Sequence, residues 1–344
     1  MPKLRAARAV AHSNIALVKY WGKRAGVDPA LNLPAVGSLS MTLGELRTDT
    51  TVAPAPAGGS DRFELDGALV EGKPAAKVFA HLDRLHALAG LEGARPACVV
   101  TSINHLPTAA GLASSASGFA ALTVAAAGAY GLYDSLDGAA RTRLSGWSRQ
   151  GSGSAARSLW GAFVRLDAGA AEDGSDCIAR PLEVPAALAA DLRLLVVHTA
   201  RGAKKVGSTG GMESSRLTSP YYGPWVESSP ADLDAAEAAL NAQDFDALGA
   251  VMEHSCFKMH ACMLATVPPL IYWNGTTLEV IREVQSVRAD GGPKGFVTSD
   301  AGPHVKVLVR AAEAEDLAAG LAAVPGVHEV QAVAPGPAAS LELL

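Results

Sequence analysis

Cysteine is scarce. The 344 residues hold four, Cys98, Cys177, Cys256 and Cys262, and none forms a CxxC pair. That usage reads as reduced thiols in a cytoplasmic protein rather than a disulfide framework. A basic excess is missing too. The formal net charge is −5, so nothing suggests a general footprint for nucleic acid or an anionic membrane, and any anionic partner must be held by a local cluster of basic residues. Charged residues make up only 18%, against 49% hydrophobic, which supplies a sizeable core and argues against disorder. The longest nearly apolar run, Phe119 to Tyr133, is Ala-rich and too short to cross a bilayer comfortably. It reads as a core helix. The opening residues, "MPKLRAARAVAHSN", lack the apolar stretch of a secretory signal. There is no short internal repeat and no Walker A loop, since no Lys-Ser or Lys-Thr follows a GxxxxG.

What remains is a mixed α and β pattern over a length that favours two domains. "RAARAVAHSN" and "GSLSMTLGEL" read as strands, followed by a β-leaning "RTDTTVAPAP" and a turn at Gly58-Gly59 leading into "DRFELDG". "KPAAKVFAHLDRLHALAG" is helical, "PACVVTSINHLP" is a strand, "GSGSAARSLWG" opens a short helix, and "AFVRLDA" returns as a strand. The pattern changes near residue 185, which predicts domains over 1–184 and 185–344. Beyond it come a strand "ADLRLLVVHTA", two helical stretches across "DLDAAEAALNAQDFDALGAVMEHSCFKMHACM", a helix "TTLEVIREVQSVRAD", a hairpin "KGFVTSDAGPHVKVLVR", a helix "AEDLAAGLAAV" and a strand "VHEVQAV". The expected class is α+β. The tail "APGPAASLELL" is expected to be loosely ordered.

Two stretches carry phosphate chemistry. "PTAAGLASSAS", residues 107 to 117, places Gly111 and several hydroxyls before a buried helix. A helix start offers unpaired N–H groups and partial positive charge, glycine admits a bulky anion, and hydroxyls add donors. On composition alone a tight turn of small residues is an equal alternative. The device recurs in "RQGSGSAARS", residues 149 to 158, with Arg149 and Arg157 added. Two anion cradles suggest two phosphorylated ligands and hence phosphoryl transfer, which is mostly positioning and charge neutralisation. A third cationic stretch, "NIALVKYWGKR", holds Lys19, Lys23 and Arg24 around Tyr20 and Trp21.

"NIALVKYWGKR", "LNLP…SLSMTL", "PTAAGLASSAS", "GSGSAARS", "GSTGGM…TSPYY" and "TSDAGPHV" resemble the sequence blocks of the diphosphomevalonate decarboxylases, in the same order, from residue 11 to about 309. That family belongs to the GHMP kinase superfamily. The resemblance implies a two-domain GHMP kinase-like fold, with a ribosomal protein S5 domain 2-like N-terminal domain binding ATP and substrate and a ferredoxin-like C-terminal domain. It implies ATP as co-substrate, magnesium, small-molecule partners only, no membrane and a homodimer. The implied reaction phosphorylates the tertiary 3-hydroxyl of mevalonate 5-diphosphate, then loses phosphate and carbon dioxide to give isopentenyl diphosphate.

The implied roles run as follows. Asp300 is the catalytic carboxylate with Lys19 beside it, and Arg157 faces the substrate carboxylate. Tyr20, Trp21, Gly22, Lys23, Lys77, Ser152, Gly153 and Ser154 hold the substrate and its terminal phosphates. Ser102, Asn104, Pro107, Gly111, Leu112, Ala113, Ser114, Ser115, Lys204, Lys205, Ser208 and Thr209 line the ATP side, with Ser115 a candidate magnesium contact. Asp300 also fits a plain turn former in "SDAGP", the favoured reading without the resemblance. The chain departs from the family pattern at His12, at Val36-Gly37 and at His304, where Pro, Asn-Ser and Asn respectively are more usual, at Thr209, where some bacterial members carry Arg, and at Lys77, where the basic residue assisting the distal phosphate is often Arg. These departures bear on nucleotide contacts and on the number of substrate phosphates. A phosphomevalonate decarboxylase making isopentenyl phosphate is therefore the near alternative, and a non-catalytic ATP and metabolite sensor the distant one. A mevalonate 3-kinase is disfavoured by Asp300.

"EHSCFKMHAC" invites a zinc reading. At about 100° per residue, Cys256 and His260 share a helix face while His254 and Cys262 point elsewhere, which favours a packed helix. The pairs Tyr221-Tyr222 and Tyr272-Trp273 read as core or interface.

Overall fold

The computed structural model describes residues 4–105, 114–202 and 207–344. The first half is built on one long sheet. β1 (Ala7–Val18) pairs with β2 (Ser38–Pro54), and the sheet continues through β5 (Cys98–His105) to β3 (Arg62–Leu65) and β4 (Ala68–Leu69). β6 (Phe163–Leu166) takes the other end of β2 and carries β7 (Ala179–Pro181). The two β stretches read at 37–56 are one strand. Its register with β1 slips between His12 and Asn14, where Arg47 and Thr42 are the respective partners, so residues 43–46 bulge against a single residue.

Helices α1 (Lys73–Leu88), α2 (Ser114–Ala129) and α3 (Gly138–Gly151) join this sheet in one apolar cluster. α2 carries no charge, and Ala120, Ala121, Val124, Ala125 and Ala129 are fully covered. A helix apolar on all sides belongs in the core. Its short side chains let it press on the strands. A Cβ added at Gly128 would lie 2.6 Å from Leu341 Cδ1 and 3.0 Å from the Ala7 Cβ.

In the second half, β8 (Leu192–His198), β9 (Phe296–Ser299), β10 (Val305–Arg310) and β11 (Glu329–Val333) form an antiparallel sheet in the order β11-β8-β10-β9. The helices are α4 (Ala186–Asp191), α5 (Ser208–Thr218), α6 (Tyr222–Asn241), α7 (Phe245–Leu264), α8 (Gly275–Ala289) and α9 (Ala314–Ala322). With helices between β8 and β9, and α9 between β10 and β11, this is the ferredoxin-like order. The strands alternate as a doubly covered sheet must. Leu195, Val197, Val305, Val307 and Val309 pack on α8 and α9. Leu194, Val196 and Leu308 face α6, α7 and the Ile15–Leu17 and Leu39–Met41 segments of the first sheet. One core therefore spans both halves. Among the described residues no helix is long and apolar enough to cross a membrane.

Two expectations are corrected. The tail is not loose: Ser340–Leu343 forms β12, antiparallel to β1 with Ala7 opposite Leu343 and Val10 opposite Ser340. It satisfies the free edge of β1, which no local pattern announces. The first of the paired helices starts ten residues before Asp232 and passes through Pro230. Burial of Trp225, Ser229 and Leu233 along one side holds the helix across the hydrogen bond that proline cannot make.

Candidate active site

A cavity of about 840 Å³ opens between the halves. The first half lines it with Asn14, Tyr20, Lys23, Lys77, Ser115, Ser152–Ser154 and Arg157, and the second with Ser208, Thr209, Met259 and the 300–304 turn together with Lys306.

Asp300 sits in the turn joining β9 to β10, and its backbone oxygen accepts from the Gly302 N–H at 2.7 Å. The preceding residue anchors that turn. The Ser299 hydroxyl donates to the carbonyls of Gly302 (3.1 Å) and His304 (3.2 Å). From α7, the Cys256 sulfur accepts from the Ser299 N–H at 3.1 Å, and His260 Nε2 lies 3.3 Å from the Ser299 carbonyl. The shared helix face of Cys256 and His260 is thus a clamp on the strand that presents Asp300. Burial pushes His260 down to about 3, so the ring is neutral at working pH. Among the described residues no cluster of three or more His, Cys, Asp or Glu could hold a metal.

Lys19 follows the end of β1 and is buried to 1% exposure. Its Nζ donates to Asp300 Oδ1 at 2.7 Å and to the Ala16 carbonyl at 2.9 Å, and its backbone N–H donates to Ser255 Oγ at 2.9 Å. The Asp300 side chain stays 40% exposed, open to the cavity. Burial opposes its ionisation, yet the charges of Lys19, Lys306 and Arg157 outweigh that and hold the carboxyl well below the usual carboxylate range.

Arg157 lies in the 3₁₀ turn Gly153–Leu159 and is buried. Its Nε donates to Asn14 Oδ1 at 3.1 Å and its Nη1 to Ser38 Oγ at 2.7 Å. Asn14 is itself fixed by donating to the Ser154 carbonyl and to Ser158 Oγ. Burial pulls the guanidinium down to about 10, which still leaves it charged. Among the described residues no carboxylate forms an ion pair with it, so a buried, oriented cation faces the cavity. Arg149, read with it in the second cradle, turns away and donates to the carbonyls of Leu31, Gly174 and Cys177.

Around them lie the remaining substrate-side candidates. Among the described residues the buried Tyr20 hydroxyl has no hydrogen-bond partner. A Cβ on Gly153 would come within 2.7 Å of it, so the glycine leaves room for the tyrosine. Lys23 and Lys77 are both pulled down by burial, Lys23 also by Lys77, and the Lys77 ammonium sits 4.6 Å from the Phe119 ring centre. Ser152 Oγ lies 3.3 Å from both Ser154 Oγ and Ser115 Oγ, which brings the two serine-rich loops into contact. Trp21 is buried with its indole N–H on Ser215 Oγ, and its carbonyl accepts from Trp225. Gly22 has φ +101°, and a side chain there would collide with Tyr222. These two hold the wall in shape.

Of the residues expected on the nucleotide side, Ser115, Ser208 and Thr209 line the cavity. Ser102 and Asn104 do not line this cavity. Ser102 Oγ bonds Thr50 Oγ1, and Asn104 accepts from Thr48 and donates its backbone N–H to Asp66. Pro107, Gly111, Leu112, Ala113, Lys204 and Lys205 lie outside the described residues, as does the Ser114 side chain. Of the family departures, His12 Nδ1 lies 3.1 Å from the Leu43 carbonyl inside the sheet. Val36 is core, and Gly37 is pressed by Leu233. His304 Nδ1 accepts from the Thr199 N–H at 3.3 Å, which fixes the neutral tautomer, and burial pushes it down to about 4. Sequence reasoning missed Asn14, Ser38 and Lys306. The one available signal was a lysine set among valines in "VKVLV".

Residues 11–179 match the family model described as the diphosphomevalonate decarboxylase-like N-terminal domain, and residues 194–337 that of the mevalonate 5-diphosphate decarboxylase C-terminal domain. The chain is 36% identical over 334 residues to the diphosphomevalonate decarboxylase of Aspergillus fumigatus, covering 93% of this chain and 80% of that one. It superposes on the crystal structure of mevalonate diphosphate decarboxylase from Staphylococcus aureus with a TM-score of 0.90, 34% identity and 98% of each chain covered. A structure described as MDDEF in complex with MVAPP, AMPPCP and magnesium gives a TM-score of 0.88 at 35% identity, covering 99% of this chain and all of that one. The two-sheet α+β architecture is the GHMP kinase-like fold of these enzymes.

Proposed function

The chain belongs to the diphosphomevalonate decarboxylase family, and we propose that its central cavity runs the family reaction with Asp300, Lys19 and Arg157 as the working groups. The protein is an ATP-dependent decarboxylase that converts mevalonate 5-diphosphate to isopentenyl diphosphate in the mevalonate pathway. The observation that carries the assignment of roles is the pair of buried Lys19 and cavity-facing Asp300 set against Arg157, a buried cation with no carboxylate partner among the described residues.

A tertiary alcohol is a poor nucleophile and hydroxide a poor leaving group. ATP gives its γ-phosphoryl group to the 3-hydroxyl, and the hydroxyl proton passes to Asp300 and from there to water. The C–O bond then breaks with its electron pair on the departing phosphate. The bond to the carboxylate breaks in turn, and its pair forms the new double bond as carbon dioxide leaves. Asp300 accepts the hydroxyl's hydrogen bond and aims its oxygen at the phosphoryl group. In a loose transfer the alcohol becomes strongly acidic only late, so an ionised acceptor of low basicity suffices. Arg157 holds the substrate carboxylate with its planar fork while that group is still charged. Tyr20, Lys23, Lys77 and Ser152–Ser154 take the terminal phosphates.

ATP is the co-substrate, and magnesium accompanies it. A cavity offering hydroxyls rather than an acidic cage fits an ion held mainly by phosphates and water, with Ser115 as the protein oxygen. When bound, the ion neutralises charge on the transferring phosphates. We assign 1–184 as the domain that binds ATP and substrate and 185–344 as the C-terminal GHMP kinase-like domain, a division supported by the change of sheet between β7 and β8, with β12 alone returning to the first sheet. Four free, buried thiols support a cytoplasmic protein. Family membership supports a homodimer.

The test offers purified protein, ATP and magnesium with mevalonate, its 5-phosphate and its 5-diphosphate in parallel. The diphosphate gives the highest kcat/KM, with carbon dioxide released. A preference for the monophosphate replaces this reading with the phosphomevalonate decarboxylase, and binding without turnover replaces it with the sensor.

A further inference from the structure

Lys306 is buried to 4% exposure inside the apolar strand β10. The pleat turns Val305, Val307 and Val309 toward α8 and α9, and leaves Lys306 on the opposite face with Leu308. Its cross-strand partners, Val196 and Thr298, carry no charge. A buried ammonium is costly unless it is paired. Among the described residues its one carboxylate is that of Asp300, with Nζ 3.5 Å from Oδ2, and it also donates to the His304 carbonyl at 3.3 Å. Lys19 holds Oδ1 from the other side. Each oxygen of Asp300 therefore has its own lysine, one from the end of β1 and one from β10. The other titratable groups facing Asp300 are Arg157 from the 3₁₀ turn, and Cys256 and His260 from α7.

We infer that Lys306 is a positioning residue for the reaction: it fixes the second oxygen of Asp300, so that the carboxylate meets the reacting hydroxyl in one orientation. The inference rests on the reading of Asp300 as the carboxylate that meets the 3-hydroxyl. A single lysine would leave the carboxylate free to swing about its one contact. The second cation removes that freedom. Burial opposes the charge on Lys306 while Asp300 supports it, as expected of a cation retained for one partner.

The test is a double-mutant cycle on the full chain, read as single-turnover carbon dioxide release with ATP, magnesium and mevalonate 5-diphosphate. Lys306→Met lowers the rate roughly 10–100-fold in the otherwise native protein, a coupling within the range seen for contacting residues. In the Asp300→Asn background the same change costs less than about threefold, because the group it positions is gone. The KM for ATP moves less than about threefold in either background. If Lys306→Met does not fold, Lys306→Gln keeps a polar head group and serves in its place. Equal losses in both backgrounds, or a near-native rate for Lys306→Met, overturn the inference while leaving Asp300 in place. Near-native turnover by Asp300→Asn alone overturns the reading of Asp300 itself, and this inference with it.

Discussion

Arg157 uses its planar head in two directions. Nε and Nη1 are taken by Asn14 and Ser38, which orient the group, and the rest of the guanidinium is left for the substrate carboxylate. An ammonium keeps the charge but cannot satisfy both neighbours and present a two-pronged face. Arg157→Lys therefore lowers kcat/KM for mevalonate 5-diphosphate by about 10²-fold or more, the cost of losing an oriented donor at a reacting group. ATP binding by calorimetry changes little. Native turnover in that variant would make Arg157 a packing residue. Arg157, Lys19 and Asp300 were legible because charged residues are few here and these three stand in recognisable blocks. Lys306 was not. A lysine in a strand is normally solvated, and only tertiary packing around the Asp300 turn buries this one. Arg149 misled for the converse reason. It shares a motif with Arg157, but one turn of chain points it at backbone carbonyls instead.

At the level of elements, periodicity placed the strands and helices that carry their own pattern, such as β8, β10 and α2. It failed where partners are distant. The Gly- and Pro-rich tail reads as loose, yet β12 closes the edge of β1 from 330 residues away in sequence, Val10 opposite Ser340. Removing residues 340–344 leaves that edge open and uncovers Gly128 of α2, which packs on Leu341. At about 0.2–1 kcal/mol per cross-strand pair, the four pairs predict a loss of roughly 1–4 kcal/mol. Denaturant unfolding of the truncated chain measures it. An unchanged midpoint would mean that β12 contributes nothing to the sheet. Pro230 hid the start of α6 in the same way, since the core contacts that carry the helix through it are tertiary.

At the scale of the whole molecule, the site exists only where the halves meet. Lys19 follows the second-longest strand of the first sheet, and Asp300 sits on a hairpin of the other, 281 residues later. The core shared by Leu17, Leu39, Leu194 and Leu308 holds those two surfaces together. Such a junction is written in no local stretch of sequence; the sequence supplied the residue types, and packing supplied their convergence. The proposed mechanism therefore depends most on Asp300, among the described residues the one carboxylate set between three buried cations. Asp300→Asn keeps the size of the side chain and removes its charge. The direct measurement is single-turnover carbon dioxide release by Asp300→Asn, beside ATP and substrate binding and a thermal melt. With Asp300 as the base, the variant folds, binds both ligands within about threefold and releases carbon dioxide about 10²–10⁴ times more slowly. A folded variant that releases it at a near-native rate would remove Asp300 from the mechanism.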